Sequence, residues 1–254
     1  MKKNLLDLFS GTHSVGICAK NYKRSNTDEV YNVVSLDRDL DSKSKLYNYV
    51  SNNHIQEDIM TWNYKIYPVG YFHIITASPV CVWWSCMRRA VLSNERIQND
   101  INELGKPMLD KVIEIIEYFK PNYYWIENPQ TGSMKEYIKE KHPKYYKNKI
   151  VDYCSYDDNI GYMKRTIFFT NININPLLCK KDKCPNKING RHKINIAYNM
   201  YVFDNGKKIF TNTKELRQKY KDYEKHKQKT TKNKYDRYKI PFNLINDLLE
   251  NSQA

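Results

Sequence analysis

Asn4-Leu-Leu-Asp-Leu-Phe-Ser-Gly-Thr-His-Ser-Val-Gly16 reads as an apolar strand, a tight turn and the opening of a helix that runs to about Tyr22. The same unit recurs downstream. Val30–Leu36 is the next strand and ends at Asp37; Ser42–Val50 has helical spacing; Ile55–Asp58 is a brief strand; Phe72–Thr76 is another. Asn99 to Phe119 gives the clearest helix, capped by Asn99 or Asp100, with Ile101, Leu104, Met108, Val112, Ile115, Ile116 and Phe119 on one face and Pro121 ending it. Tyr123–Ile126, Lys149–Cys154 and Thr166–Thr170 complete the strands, with a helix from about Gly132 to Lys141. Alternating strands and helices with short connections predict an α/β fold, a mostly parallel sheet covered by helices on both faces.

Charge divides the chain differently. Its 254 residues carry 42 Lys+Arg against 28 Asp+Glu, a net +14. Pro176 to Ile240 holds 19 basic and 6 acidic residues, leaving 23 against 22 elsewhere. A near-neutral body with a basic segment, interleaved with tyrosines, suggests nucleic-acid contact there. No run of 18 apolar residues occurs, so no membrane partner is expected. Six cysteines in this length do not resemble a secreted disulfide scaffold. Reduced thiols and an intracellular location are expected.

Two strand ends carry chemistry. Tyr71-Phe-His-Ile-Ile-Thr-Ala-Ser-Pro-Val-Cys81 presents a thiol just after a Ser-Pro break, and Asn122-Tyr-Tyr-Trp-Ile-Glu127 presents a carboxylate before Asn128-Pro129. In open α/β sheets, ligands collect at the carboxyl ends of strands. A nucleophile and an acid in one cleft suit covalent attack on an electron-poor ring whose nitrogen takes a proton or hydrogen bond. Arg88 and Arg89, near a helix expected after Ser85, are candidates to lower the Cys81 pKa. Cys18, Cys86 and Cys154 read as packing residues, and Trp83 and Trp84 as loop packing or the wall of a pocket.

The first turn fits a nucleoside-containing cofactor. Gly11 allows close backbone approach, Gly16 opens the helix, and Asp7, Asp37 and Asp58 stand at three successive strand ends. The turn lacks the Gly-Lys-Ser/Thr of a phosphate loop, and His13 takes the middle position of a Gly-x-Gly-x-x-Gly pattern. Separately, Cys179-x4-Cys184-x7-His192 is a candidate zinc set without an evident fourth ligand. The strand order places Cys154 at the far end of the Thr166–Thr170 strand from Cys179.

Together these residues resemble the DNA cytosine-5 methyltransferases, over roughly residues 4 to 171. Asp7-Leu-Phe-Ser-Gly11 is similar to the family's first motif, Asp37 and Asp58 to its next acidic positions, and Ser78-Pro-Val-Cys81 to its Pro-Cys loop. Glu127-Asn128 resembles its Glu-Asn motif, and Ile167–Asn171 the strand after its Gln-x-Arg-x-Arg motif, which is reduced here to Tyr162-Met-Lys164-Arg165-Thr166. Departures include His13 for a usual glycine, Val80 for the usual proline before the cysteine, and Pro129 for a common valine. A late Gly-Asn-Ser motif is not visible. The likeness is to short, divergent members of phage or large-DNA-virus type.

The resemblance implies a Rossmann-like class I fold with a seven-stranded sheet, and S-adenosylmethionine held by Asp7, Phe9, Ser10, Gly11, Thr12, Gly16, Asp37, Asp58, Ile59, Ser78 and Pro79. It implies that Cys81 attacks C6 of a flipped-out cytosine, that Glu127 engages N3, and that Lys164 and Arg165 fill the cationic role. It also implies a catalytic domain over residues 1–175 and a small basic target-recognition region over 176–239. Ile240-Pro-Phe-Asn-Leu-Ile-Asn-Asp-Leu-Leu249 reads as a short amphipathic helix beginning at a proline, so a terminal helix over 240–254 is expected to pack back on the catalytic domain. Expected with it are double-stranded DNA as partner, a monomer, and residence in host cytoplasm or nucleus, or in a virion or viral factory. An RNA cytosine-5 methyltransferase of transfer-RNA type and an inactive DNA-binding relative are the alternatives.

Overall fold

A computed structural model describes residues 3–22, 31–39, 53–85, 88–89, 92–188, 190–195, 201–204, 207–210, 229–230 and 238–252. Seven strands, β1 (Asn4–Leu8), β2 (Asn32–Leu36), β3 (His54–Ile55), β4 (Ile74–Ala77), β5 (Tyr123–Pro129), β6 (Asn148–Asp152) and β7 (Arg165–Thr170), form one sheet. Their order is β3-β2-β1-β4-β5-β7-β6. All neighbours pair in parallel except those of β7, which runs antiparallel to both β5 and β6.

Each central strand is apolar on both sides, and successive residues feed opposite cores, as the two-residue period of a strand requires. Leu6, Val34, Ile75, Ile126 and Phe169 join one core, while Leu5, Val33, Ile74, Trp125 and Phe168 join the other. Among the described residues, five α-helices cover them. On the first face, α2 (Asn94–Asp100) continues through a π turn (Ile101–Gly105) into α3 (Lys106–Phe119), beside α4 (Met134–Lys141). On the other lie α1 (Ser14–Asn21) and α5 (Phe242–Glu250).

The terminal helix is bound to α1 by more than apolar burial of Leu244, Ile245, Leu248 and Leu249. Cys18 Sγ donates to Asn246 Oδ1 (2.9 Å), and Tyr22 hydroxyl to Glu250 Oε2 (2.9 Å).

Besides shifts of one or two residues elsewhere, three boundaries differ from the sequence reading. The long helix starts at Ser93, whose hydroxyl accepts from Arg96 N (3.2 Å), rather than at Asn99 or Asp100. Asn94 to Asn99 is mostly polar, so apolar spacing does not reveal it. Strand β3 ends at Ile55, with Asp58 in the following turn. Strand β5 runs through Glu127 to Pro129, because β7 keeps pairing to Pro129↔Thr166. The expected helix at Ser42–Val50 lies outside the described residues.

Candidate active site

The sheet order reverses at β1. The chain moves outward through β2 and β3, then returns to the other side of β1 as β4 and continues to β5. The crevice outside the carboxyl ends of β1 and β4 is therefore where a doubly wound sheet binds its ligand. Ser10 N donates to Leu36 O (3.1 Å) and Ser78 N to Leu8 O (3.2 Å), so both loops spring from this point.

The β1 loop is strained. Phe9 (φ 59°) and His13 (φ 56°) take left-handed backbone without being glycine, around Gly11 (φ 41°). The Gly11 amide donates to Asp37 Oδ2 (2.8 Å), which ties the turn to the acid after β2. Ser10 Oγ is buried without a hydrogen-bond partner among the described residues. Asp7 is buried beneath the turn and accepts from Thr76 Oγ1 (2.8 Å). Burial, with Asp37 nearby, raises its pKa to about 7, against the hydrogen bond from Thr76. Asp58 Oδ1 accepts from Met60 N (2.9 Å), and Ile59 is buried in the core. His13 packs edge-on against His54 at 5.2 Å, and its pKa falls to about 4, chiefly through burial.

The second half of the site is built from β4, β5, β6 and β7. Cys81 opens a short 3-10 turn (Cys81–Trp84) after Val80 and is half-buried. Asn128 Nδ2 donates to Pro79 O (3.4 Å) and so holds the cysteine loop to β5. Trp84 is buried, and its carbonyl accepts from Ser133 N (3.0 Å). Gly105, in the π turn, lets that helix close on the loop, since a Cβ there would stand 3.1 Å from the Trp84 ring.

Glu127 is buried, and its Oε1 accepts from Tyr153 hydroxyl (2.9 Å) and Lys164 Nζ (3.0 Å). Lys164 Nζ also sits 4.9 Å from the Tyr153 ring centre. The Cys81 thiol feels this pair directly. Burial raises its pKa, the Lys164 ammonium lowers it, and Glu127 raises it. Cys81 thus lies within electrostatic range of the Glu127–Lys164 pair.

Arg165 does not join them. It grips buried Asp152 through Nε (2.9 Å) and Nη2 (2.7 Å). Arg88 is likewise taken, paired with Asp100, and the lysine Lys164 is a cation that acts on Cys81. Sequence reasoning did not single out Tyr153. It follows β6 in a run read only as strand, and its role depends on β6 reaching β5 through β7.

The candidate metal set gains a member. Cys154, read as a packing residue, brings its Sγ within 4.8 Å of the ligand atoms of Cys179, Cys184 and His192, each within that distance of the others. After β7 the chain doubles back along the end of β6: Asp152 N donates to Leu177 O (3.0 Å), and Cys179 N to Asp152 Oδ2 (2.8 Å). That return places Cys179 beside Cys154 instead of at the opposite end of β7.

No protein-family model matches the chain. A Frog virus 3 (isolate Goorha) protein named "Probable DNA (cytosine-5)-methyltransferase" is 36% identical over 191 residues, 72% of this chain and 78% of that protein. The chain belongs to the DNA (cytosine-5)-methyltransferase family. Among solved structures it is similar to Entamoeba histolytica methyltransferase EhMeth (TM-score 0.49, 16% identity, 70% of this chain and 57% of that one). The S. pombe Dnmt2 methyltransferase gives a TM-score of 0.44, at 16% identity over 69% of this chain and 53% of that one. The chain thus spans little more than half the length of these two structures. Membership of a methyltransferase family brings S-adenosylmethionine as the methyl donor.

The loops after β1, β2 and β3 fit that cofactor. An unpartnered buried hydroxyl at Ser10, a turn opened by Gly11 and carboxylates at Asp37 and Asp58 match a cationic ligand rich in hydroxyl and amino donors. No helix among the described residues is long and apolar enough to cross a membrane.

Proposed function

We propose that this protein methylates C5 of cytosine in double-stranded DNA through a covalent adduct with Cys81. The observation that supports the reading is that Glu127, paired with Lys164 (3.0 Å), ends the strand next to β4, whose following loop carries Cys81, so that the pair acts electrostatically on the thiol. The cofactor supplies an electrophilic methyl group on a sulfonium, and Asp7, Phe9, Ser10, Gly11, Thr12, Gly16, Asp37, Asp58, Ile59, Ser78 and Pro79 are the residues assigned to hold it.

A stacked base hides its ring from the thiol, so the cytosine is swung into the cleft. Cys81 passes its proton to solvent as its sulfur bonds to C6. Negative charge develops toward N3, where Glu127, having taken up a proton from solvent, donates it through Oε2, and C5 becomes nucleophilic. With the cofactor bound, its sulfonium would give the methyl group to C5 and leave as a neutral thioether; loss of the C5 proton to solvent would then return the electrons that break the Cys81–C6 bond and release the thiolate. Tyr153 and Lys164 hold Glu127 Oε1, which directs Oε2 to N3. Lys164 also acts on the nucleophile, because its charge opposes the burial that disfavours the Cys81 thiolate. Arg165 takes a positioning role on Asp152 in place of the catalytic one implied by the resemblance.

Exposed Lys180, Lys181, Lys183, Arg191 and Lys193 supply phosphate contacts. The same reading takes the protein to act as a monomer. The five described cysteines are free thiols, which supports an intracellular setting in host cytoplasm, nucleus or viral factory. The test is labelled-methyl transfer to duplex DNA and to transfer RNA. Incorporation into DNA as 5-methylcytosine supports the reading; incorporation into RNA alone, or none at all, overturns it.

A further inference from the structure

We propose that Cys154, Cys179, Cys184 and His192 form a closed zinc site that fastens the start of the basic segment to the catalytic sheet and braces the residues holding Glu127. The four ligands come from three places. Cys154 lies in a 3-10 turn (Tyr153–Ser155) after β6, Cys179 and Cys184 flank a second such turn (Lys181–Lys183), and His192 sits in β9 (Arg191–His192), which pairs with β8 (Lys187–Ile188).

The spacing is that of a coordination shell. His192 Nε2 stands 3.6 Å from Cys179 Sγ and 3.6 Å from Cys184 Sγ. Around a tetrahedral zinc, with bonds of about 2.3 Å to sulfur and 2.0–2.1 Å to nitrogen, neighbouring ligand atoms stand roughly 3.6–3.8 Å apart. All four ligand atoms lie within 4.8 Å of one another, and the three cysteines are not in disulfides. Three sulfurs and one imidazole nitrogen select zinc over oxygen-loving cations. Four protein ligands leave no open position, so the site is structural.

The segment needs such a fastening. Between Pro176 and Ile194 the described residues include only two buried side chains, Cys184 and Asn186, while Leu177, Leu178 and Ile188 are 44%, 50% and 61% exposed. Apolar burial is too small to order this stretch. Asn186 supplies part of the hold, donating to Cys154 O (3.0 Å) and Asp157 O (2.8 Å) and accepting from Gly161 N (2.8 Å). A zinc with three thiolates carries net charge −1, which suits a site ringed by Lys180, Lys181, Lys183, Lys187, Arg191 and Lys193. On binding, the protons of the three thiols pass to solvent.

The site also reaches the cleft. Asp152, which accepts from Cys179 N, grips Arg165, the neighbour of Lys164. Tyr153 lies between Asp152 and Cys154; its amide donates to Lys164 O (3.1 Å) and its hydroxyl to Glu127. Fixing Cys154 and Cys179 therefore fixes the strand ends that carry both partners of Glu127.

The test uses the full-length protein without DNA or cofactor, so it stands apart from the methyl-transfer reading. Elemental analysis should find one zinc per chain in wild type and in Cys18→Ala, and a large loss in Cys154→Ser and Cys184→Ser. Cobalt replacement should give tetrahedral thiolate bands that weaken in Cys154→Ser. Where the serine variants do not fold, wild type treated with a strong chelator should melt at lower temperature and recover with added zinc. Zinc-free wild type, full zinc in Cys154→Ser, or a melting point indifferent to chelator overturns the proposal.

Discussion

The catalytic sheet and the start of the basic segment are held by different forces. In the sheet, adjacent residues such as Leu5 and Leu6, Ile74 and Ile75, or Phe168 and Phe169 are fully buried on opposite faces. From Pro176 to Ile194 almost nothing apolar is buried among the described residues, and the hold is assigned to named polar bonds and the four proposed zinc ligands. Burial is non-directional and tolerant; a ligand set is directional, and losing one member undoes it. One chain thus joins a body that folds by pattern to an appendage that folds by specific partners.

Removing the metal should break the comparison most sharply. Chelation is expected to abolish amide-exchange protection over residues 176–195 while the protection of β1, β4 and β5 survives, as measured by hydrogen exchange with mass spectrometry. Equal loss in both regions would contradict the division. Phe119 is fully buried and packs against Phe72 at a ring separation of 4.9 Å. Phe119→Ala should cost about 3–5 kcal/mol of stability in denaturant titration.

Lys164→Ala comes next and acts on function as well. It leaves buried Glu127 without its cation, at a cost of up to about 3–5 kcal/mol. The pH effect has a definite sign. Because the Cys81 pKa lies above its ordinary value, the thiolate fraction and the rate should rise with pH toward that raised pKa. Lys164 holds it down, so Lys164→Ala should move the rise in the kcat profile to higher pH. A profile unmoved by the substitution would remove Lys164 from that role.

Gly105→Ala pushes a methyl group against Trp84 and should cost about 1–3 kcal/mol, with a fall in kcat as the Cys81 loop shifts. Leu178→Ala, in the exposed stretch, should change stability by less than about 0.5 kcal/mol. A large effect there would mean that apolar packing orders the segment after all.

What the sequence revealed follows the same division. The seven strands, α1, α3, α4 and α5 were legible because apolar period and breakers report local burial. The strand ends carrying Cys81 and Glu127 were legible for that reason too, and the family resemblance pointed to Lys164. The start of α2 was missed because Ser93 caps a polar first turn. Tyr153 and Cys154 were missed because their partners lie across the sheet or along a returning chain. The pairing of Arg165 with Asp152 likewise depends on the β6–β7 register, which no local pattern contains.

The covalent role of Cys81 is most directly tested with duplex DNA containing 5-fluorocytosine at the target position. Fluorine replaces the C5 proton whose loss would expel the thiol, so the adduct formed after methyl transfer stays in place. Mass spectrometry of the wild-type protein with this DNA and S-adenosylmethionine should show a protein–DNA species linked at Cys81, absent from Cys81→Ala. Methylation of ordinary cytosine by Cys81→Ala, or a link at any other residue, would contradict the covalent mechanism.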